Sequence, residues 1–274
     1  MTHAGSGYVD VGDGQLFYEV AGDGAPLVLS HAGFVDSRMW DDQWPAFTQQ
    51  HNVIRFDMRG FGKSALGATP IERRRDLDRL LRQLYVPGAA FLGCSLSGEV
   101  ILDFALEHPE KVAALILVSA VPGGFEMQGE PPSNLFEMIS AIQQGDLTLA
   151  SELQNRLWID GPFRQPEQVN ARVRQRAAEM NRIALTNGTW GKADTQPANP
   201  LNPPARQRLA EIRVPTLIIA GGLDHPEILR AAEVMAAAIP QAKKVIISDC
   251  AHLPNMEQPA KFNRVILDFL HGQR

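Results

Sequence analysis

Cysteine is nearly absent. Two in 274 residues, Cys94 and Cys250, are too few for a disulfide scaffold, and neither has a histidine at the spacing of a zinc site. Both are expected to be reduced, and strand alternation turns Cys94 away from the side used by its neighbour Ser95, which argues against a nucleophilic cysteine. Long apolar runs are missing as well: nothing approaches the length needed to cross a bilayer, and residues 1–10 hold no apolar signal-peptide core. A soluble, cytoplasmic protein with no membrane contact is the expectation. Basic charge is not in excess, and a formal net charge of −5 leaves no electrostatic basis for nucleic acid as a partner. The basic run Arg73-Arg74-Arg75 is followed by Asp76 and Asp78, the pattern of a solvated helix face. Internal repeats and low-complexity segments are lacking.

What is present is apolar and periodic. At 45% hydrophobic and 21% charged, a chain of this length buries a full core, and one large α/β domain with an insertion suits it better than two equal domains. Tyr8–Val11 and Leu16–Val20 predict a hairpin across Gly12-Asp13-Gly14. Short apolar strands are expected at Pro26–Ser30, Val53–Phe56, Phe91–Cys94, Ala113–Val118, Pro215–Ala220 and Val245–Ile247. Helical spacing appears over Met39–Gln50, Ile71–Leu84, the segment from Ser95 to Glu107, Glu227–Ala238 and the stripe Phe262, Val265, Ile266, Phe269. Strands apolar along their whole length, alternating with helices, predict a mostly parallel sheet covered on both faces, with ligands at the carboxyl ends of its strands. From Pro122 to about Ile212 the strand pattern stops. Leu135, Met138, Ile139 and Ile142, then Leu149, Leu153 and Leu157, then Val169, Val173 and Arg176 suggest short helices, and the proline- and asparagine-dense Gln196–Pro204 suggests a loop. Residues 1–121 and 213–274 are therefore assigned to the core domain and 122–212 to a helical cap that excludes water and shapes a pocket.

The organising stretch is Gly93-Cys94-Ser95-Leu96-Ser97-Gly98. A strand that turns directly into a helix lifts the hydroxyl of Ser95 above the sheet end and aims the following N–H groups at developing negative charge. Positions two before and two after the serine must be small. Gly93 meets that need, and Ser97 stands where glycine is usual, with the following Gly98 expected to relieve the crowding. A different motif, Gly62-Lys63-Ser64, ends like a phosphate loop, yet Asp57 occupies the place of the required glycine and its charge opposes a phosphate. Asp57 and Arg59 are expected instead to brace a sharp turn as a charged pair. His31-Ala32-Gly33-Phe34 ends a strand in a small, flexible loop that lets a backbone N–H approach a ligand.

Ser95, Asp224 and His252 each follow a predicted strand, in the order nucleophile, acid, histidine. With His31–Phe34, Asp57–Ser64, Gly93–Gly98, Gly222-Leu223-Asp224 and His252-Leu253-Pro254 with Glu257 and Pro259, the chain resembles the α/β-hydrolase superfamily over nearly its whole length. The resemblance implies that fold, with an eight-stranded, mostly parallel sheet, flanking helices and an inserted helical cap. It implies Ser95 as nucleophile, His252 as the base that takes its proton, and Asp224 as the group that holds the histidine tautomer. Asp249 is the alternative acid by its proximity in sequence. The backbone N–H groups of Phe34 and Leu96 would form an oxyanion hole, in which one lost donor costs roughly 3 kcal/mol. His31 resembles the family's loop histidine, which supports the oxyanion loop. His3, His51, His108 and His271 are expected to be structural or peripheral, and His225 a loop residue that lines the pocket at most.

Serine at the elbow argues against the dehalogenase and epoxide hydrolase branches, which use aspartate there. The expected reaction is hydrolysis of a small-molecule carboxylic ester or lactone through an acyl-serine, with no cofactor and no metal. The segments His31–Trp40 and Trp158–Pro162 are most similar to small bacterial carboxylesterases and lactone hydrolases, with Trp158 and Phe163 lining an apolar acyl pocket. The alternatives are a carbon–carbon bond hydrolase of ring-cleavage products, which would need a cap cation such as Arg156, Arg164 or Arg182, and a ligand-binding protein on a hydrolase scaffold. Oligomeric state is not legible in the sequence.

Overall fold

The computed structural model describes residues 4–67, 70–192 and 199–272. His3 and part of the predicted Gln196–Pro204 loop lie outside them. Eight strands, β1 Gly5–Asp10, β2 Gln15–Ala21, β3 Pro26–Ser30, β4 Asn52–Phe56, β5 Ala89–Cys94, β6 Val112–Val118, β7 Thr216–Gly221 and β8 Lys243–Ile247, form one sheet in the order β1-β2-β4-β3-β5-β6-β7-β8. The pairings β1–β2 and β2–β4 are antiparallel, and every other pairing is parallel. The carboxyl ends of β3, β5, β7 and β8 therefore share one edge of the sheet. The longer helices are α1 Arg73–Gln83, α2 Leu96–Glu107, α3 Leu135–Gln144, α4 Leu147–Gln154, α5 Ala171–Asn187, α6 Pro226–Ala238 and α7 Pro259–His271.

Strand alternation sends successive apolar residues into two separate cores. Phe91, Leu115, Leu117 and Ile218 pack on one face against Leu77 and Leu80 of α1, Ile101 and Phe104 of α2, and Met235 of α6. Leu92, Ile116, Val118 and Ile219 pack on the other against Trp40, Phe47 and the Phe262 and Ile266 stripe of α7. Each of these fully buried side chains contributes roughly 1.5–3 kcal/mol relative to exposure. Between β6 and β7 the described residues form helices and no strand, and Met138, Ala141, Ala150, Leu153, Leu157 and Leu185 make a third, smaller cluster there. Among the described residues no helix is long and apolar enough to cross a membrane.

Three local expectations are corrected. The helix expected over Met39–Gln50 is two single turns, Ser37–Trp40 and Trp44–Phe47, because Pro45 has no N–H to continue a ladder from the first into the second. The first strand is displaced toward the N-terminus, and the Val11 N–H bonds the Gly14 carbonyl inside the hairpin turn at 2.9 Å. The ion-pair bracing expected between Asp57 and Arg59 goes to other partners. Arg59 meets Asp76 at 2.7 Å and Asp13 at 2.8 Å, while the Asp57 carboxylate accepts the N–H groups of Ser37 at 2.9 Å and Lys63 at 2.8 Å. Asp57 thus takes the Lys63 N–H, a donor of the kind a phosphate loop turns toward a phosphate.

Candidate active site

Ser95 follows β5 with φ 56° and ψ −119°, a conformation that costs a non-glycine residue on the order of 1–3 kcal/mol and persists only where its surroundings impose it. They do so here by three backbone bonds: the Ser95 N–H donates to Val118 O at 2.8 Å, and Ser95 O accepts from Gly98 at 2.9 Å and Glu99 at 3.2 Å. Close approach inside the turn requires Gly93, since a Cβ there would lie 2.6 Å from the Ser97 carbonyl oxygen. Ser97 is more than tolerated. Its buried hydroxyl accepts the Cys94 N–H at 2.9 Å and lies 2.7 Å from Ser30 O as a donor, which fastens the elbow to the end of β3.

Asp224 comes three residues after β7 and His252 five after β8. The two meet: His252 Nδ1 lies 2.8 Å from Asp224 Oδ2, and each side chain is 1% exposed. The other carboxylate oxygen accepts the His225 N–H at 2.7 Å. With Asp224 as the acceptor in this contact, the tautomer that fits it carries its hydrogen on Nδ1 and its lone pair on Nε2. Nε2 is buried and, among the described residues, has no hydrogen-bond partner, Ser95 Oγ included. Asp249, the alternative acid, is exposed with φ 63°.

The Gly33–Phe34 loop lies against the elbow, a Cβ on Gly33 coming within 3.1 Å of the Leu96 side chain. Among the described residues, neither the Phe34 nor the Leu96 N–H has an acceptor. His31 supports this loop in its neutral form: Nδ1 donates to Ala32 O at 2.8 Å, Nε2 accepts the Met58 N–H at 2.9 Å, and burial pushes its pKa down. With both nitrogens used, it has none to offer a substrate.

Trp158 and Phe163 part company. Trp158 is half-buried, its ring centroid is 4.8 Å from that of His252 and 6.3 Å from that of Phe34, and its carbonyl accepts the His252 N–H at 3.2 Å. Phe163 is 59% exposed and lines a cleft of about 620 Å³ with Arg156, Pro162, His225 and Glu227. Ser95, Asp224 and His252 are not among the residues lining that cleft. His225 also caps α6, its Nδ1 accepting the Glu227 N–H at 3.2 Å. Both thiols are buried and held well above their ordinary range by desolvation, Cys250 at about 12.

Three contacts near the site have no counterpart among the sequence expectations. Asn181 of α5 donates to Phe34 O at 3.0 Å. Arg164 pairs with Glu257 at 2.6 Å, and Glu257 also accepts the Ala251 N–H, next to His252, at 2.7 Å. A signal existed for Asn181, a lone amide within the buried stripe Val173, Ala177, Met180, Ala184. For Arg164 and Glu257 there was none, because the pair joins positions 93 residues apart.

A family model described as alpha/beta hydrolase fold matches residues 25–259. The chain is 26% identical to the 2-hydroxy-6-oxo-6-phenylhexa-2,4-dienoate hydrolase of Comamonas testosteroni, covering 95% of this chain and 93% of that one. It is also 26% identical to the pimeloyl-[acyl-carrier protein] methyl ester esterase of Yersinia enterocolitica, covering 93% and 97%. The solved structure of a hydrolase from Pseudomonas aeruginosa PA01 superposes with a TM-score of 0.79 at 29% identity, covering 97% of this chain and 98% of that one. With the elbow and the parallel sheet, these matches establish that the chain belongs to the α/β-hydrolase family.

Proposed function

We propose that the protein hydrolyses a small carboxylic ester or lactone through an acyl-serine on Ser95. The observation that carries this reading is the placement of His252: one ring nitrogen meets Asp224 at 2.8 Å, and the other is buried and, among the described residues, unpartnered, on the edge of the sheet where the elbow ends. Ser95 Oγ attacks the carbonyl carbon as its proton passes to His252 Nε2, and the carbonyl electron pair moves onto oxygen, where the Phe34 and Leu96 N–H groups receive it. Collapse expels the alkoxide, which takes the proton from His252. A water molecule then repeats the sequence on the acyl-serine and releases the acid. Residues 122–212 act as the cap, with Trp158 forming an apolar wall beside His252. Phe163 lines the cleft it shares with Arg156 and His225.

The carbon–carbon hydrolase alternative draws support from the Comamonas relative but needs a cation free to bind a carboxylate. Arg164 is spent on Glu257 and on the carbonyls of Ile159 and Asp160. Arg156 pairs with Glu152 at 3.0 Å, and Arg182 is exposed. The ester reading is therefore favoured. Acid release in a pH-stat from a short-chain ester, a five-membered lactone and a ring-cleavage dienoate tests it, with Ser95→Ala as control and a fluorophosphonate as label. Ester or lactone turnover and stoichiometric labelling, both lost in Ser95→Ala, are expected. Turnover of the dienoate alone, or labelling that persists in the variant, would overturn the reading.

A further inference from the structure

Buried amides need a reason. Asn181 is fully buried in α5, at a position whose helical neighbours Ala177, Met180 and Ala184 are apolar. Asparagine is a poor helix former, and burying its amide costs free energy unless partners are found. The partner lies on the other side of the molecule's division between sheet and insertion: Asn181 Nδ2 donates to the Phe34 carbonyl at 3.0 Å. A carbonyl only accepts, so the amide nitrogen must face it. The second hydrogen then goes to Gln154 Oε1, and Gln154 Nε2 reaches Met138 Sδ at 3.4 Å. The orientation of Asn181 is thus set by a short chain of groups within the insertion.

The loop that Asn181 holds is weakly closed on its own. Its turn bond, from the Val35 N–H to Ala32 O, is 3.3 Å long, and among the described residues the Ala32 N–H meets only the thioether of Met39 at 3.3 Å. From the strand side, His31 ties Ala32 O at 2.8 Å. From the far side, Asn181 is the polar tie. Without it the Phe34 carbonyl can rotate, and the peptide on the other side of Phe34, which carries the N–H, loses its fixed direction. Displacements of about 1 Å at a reacting centre cost on the order of a hundredfold in rate.

We infer that Asn181 is a positioning residue for the oxyanion turn, holding the Phe34 carbonyl from the insertion so that the Phe34 N–H points at the developing oxyanion. This rests on the acyl-serine reading above. The oxyanion site is then completed by a residue outside the core domain, and seating of the insertion and catalytic competence are coupled through one hydrogen bond.

The experiment compares Asn181→Leu, which removes the donor at similar volume, with the unaltered protein and Ser95→Ala. Steady-state ester or lactone hydrolysis is measured beside inhibition by a trifluoromethyl ketone, whose hemiketal oxygen sits where the oxyanion forms. A tenfold to hundredfold fall in kcat is expected on the order of magnitude seen for misplaced groups, with KM moved by less than about threefold and ketone affinity lowered by the factor lost from kcat/KM. Should Asn181→Leu fail to fold, Asn181→Ser, which shortens the side chain out of reach of Phe34, carries the same expectation. Unchanged kcat in a folded variant, or a loss confined to KM with ketone affinity intact, would overturn the inference while leaving Ser95 as nucleophile. Turnover by the unaltered protein that survives Ser95→Ala would overturn the acyl-serine reading and the inference with it.

Discussion

At the scale of single residues, the sharpest contrast is between two aspartates that the sequence offers for one role. Asp224 is buried against His252 at 2.8 Å, and Asp249 is exposed on a left-handed turn. An amide in place of the Asp224 carboxylate can turn its NH2 toward Nδ1. That forces the proton onto Nε2, and a protonated Nε2 cannot take the hydrogen of Ser95. Asp224→Asn is accordingly expected to lower kcat by about 10³–10⁴-fold, and Asp249→Asn by less than about twofold. Steady-state rates on the same ester check both, and the reverse order would exchange their roles. Ser97 teaches a different lesson. Its departure from the usual glycine weakens the elbow as a sequence pattern, yet its hydroxyl joins β5 to β3 at 2.7–2.9 Å. A substitution back to glycine would remove that fastening while making the motif look more regular.

At the scale of elements, the elbow helix carries a row of acids. Glu99, Asp103 and Glu107 lie four residues apart on α2, and Arg74 of α1 reaches Asp103 at 3.0 Å and Glu107 at 2.7 Å. Burial, with the neighbouring Asp103 carboxylate, pushes Glu99 up to about 7, and burial pushes Asp103 up to about 6. A carboxyl group whose pKa is raised on folding binds more protons in the folded chain than in the unfolded one. Its contribution is therefore fully present below the ordinary carboxylate range and is lost as pH rises toward 7. Urea midpoints at pH 5 and pH 8 should fall for the unaltered protein, and Glu99→Gln should remove part of that fall; parallel curves for the two would refute the assignment. None of this was visible beforehand, because a charge row on a helix looks the same whether it faces water or a neighbouring helix. What was legible were features with a local pattern: apolar strands of period two, the sharp turn at Ser95, and Asp224 and His252 just beyond two further strands. The helix expected across Pro45 failed for an equally local reason, one imino acid that hydropathy alone does not register. Asn181 was half legible, as a polar residue in an apolar stripe, but its partner Phe34 lies 147 residues away.

At the scale of the whole molecule, the insertion touches the proposed catalytic groups from two directions. Asn181 holds the Phe34 carbonyl, and the Trp158 turn covers His252. The second contact is clamped by Arg164. Its guanidinium bonds the carbonyls of Ile159 and Asp160 at 2.7 and 2.9 Å and pairs with Glu257, which in turn holds the Ala251 N–H beside His252. The two side chains are 10% and 6% exposed, so each charge relies on the other rather than on water. Removing one partner from a buried pair strands the other and costs roughly 3–5 kcal/mol, whereas removing both costs much less. Glu257→Gln and Arg164→Met are therefore each expected to destabilise strongly. The double variant should be more stable than the sum of the single losses implies, with a coupling energy of about 1–3 kcal/mol. Urea denaturation of the four proteins closes the cycle. The single losses differ by bonds outside the pair, the Ala251 N–H to Glu257 on one side and the Ile159 and Asp160 carbonyls to Arg164 on the other, so only the coupling energy reads the pair itself. Additive losses would mean that the Arg164–Glu257 pair does not couple the turn carrying Trp158 to the loop carrying His252.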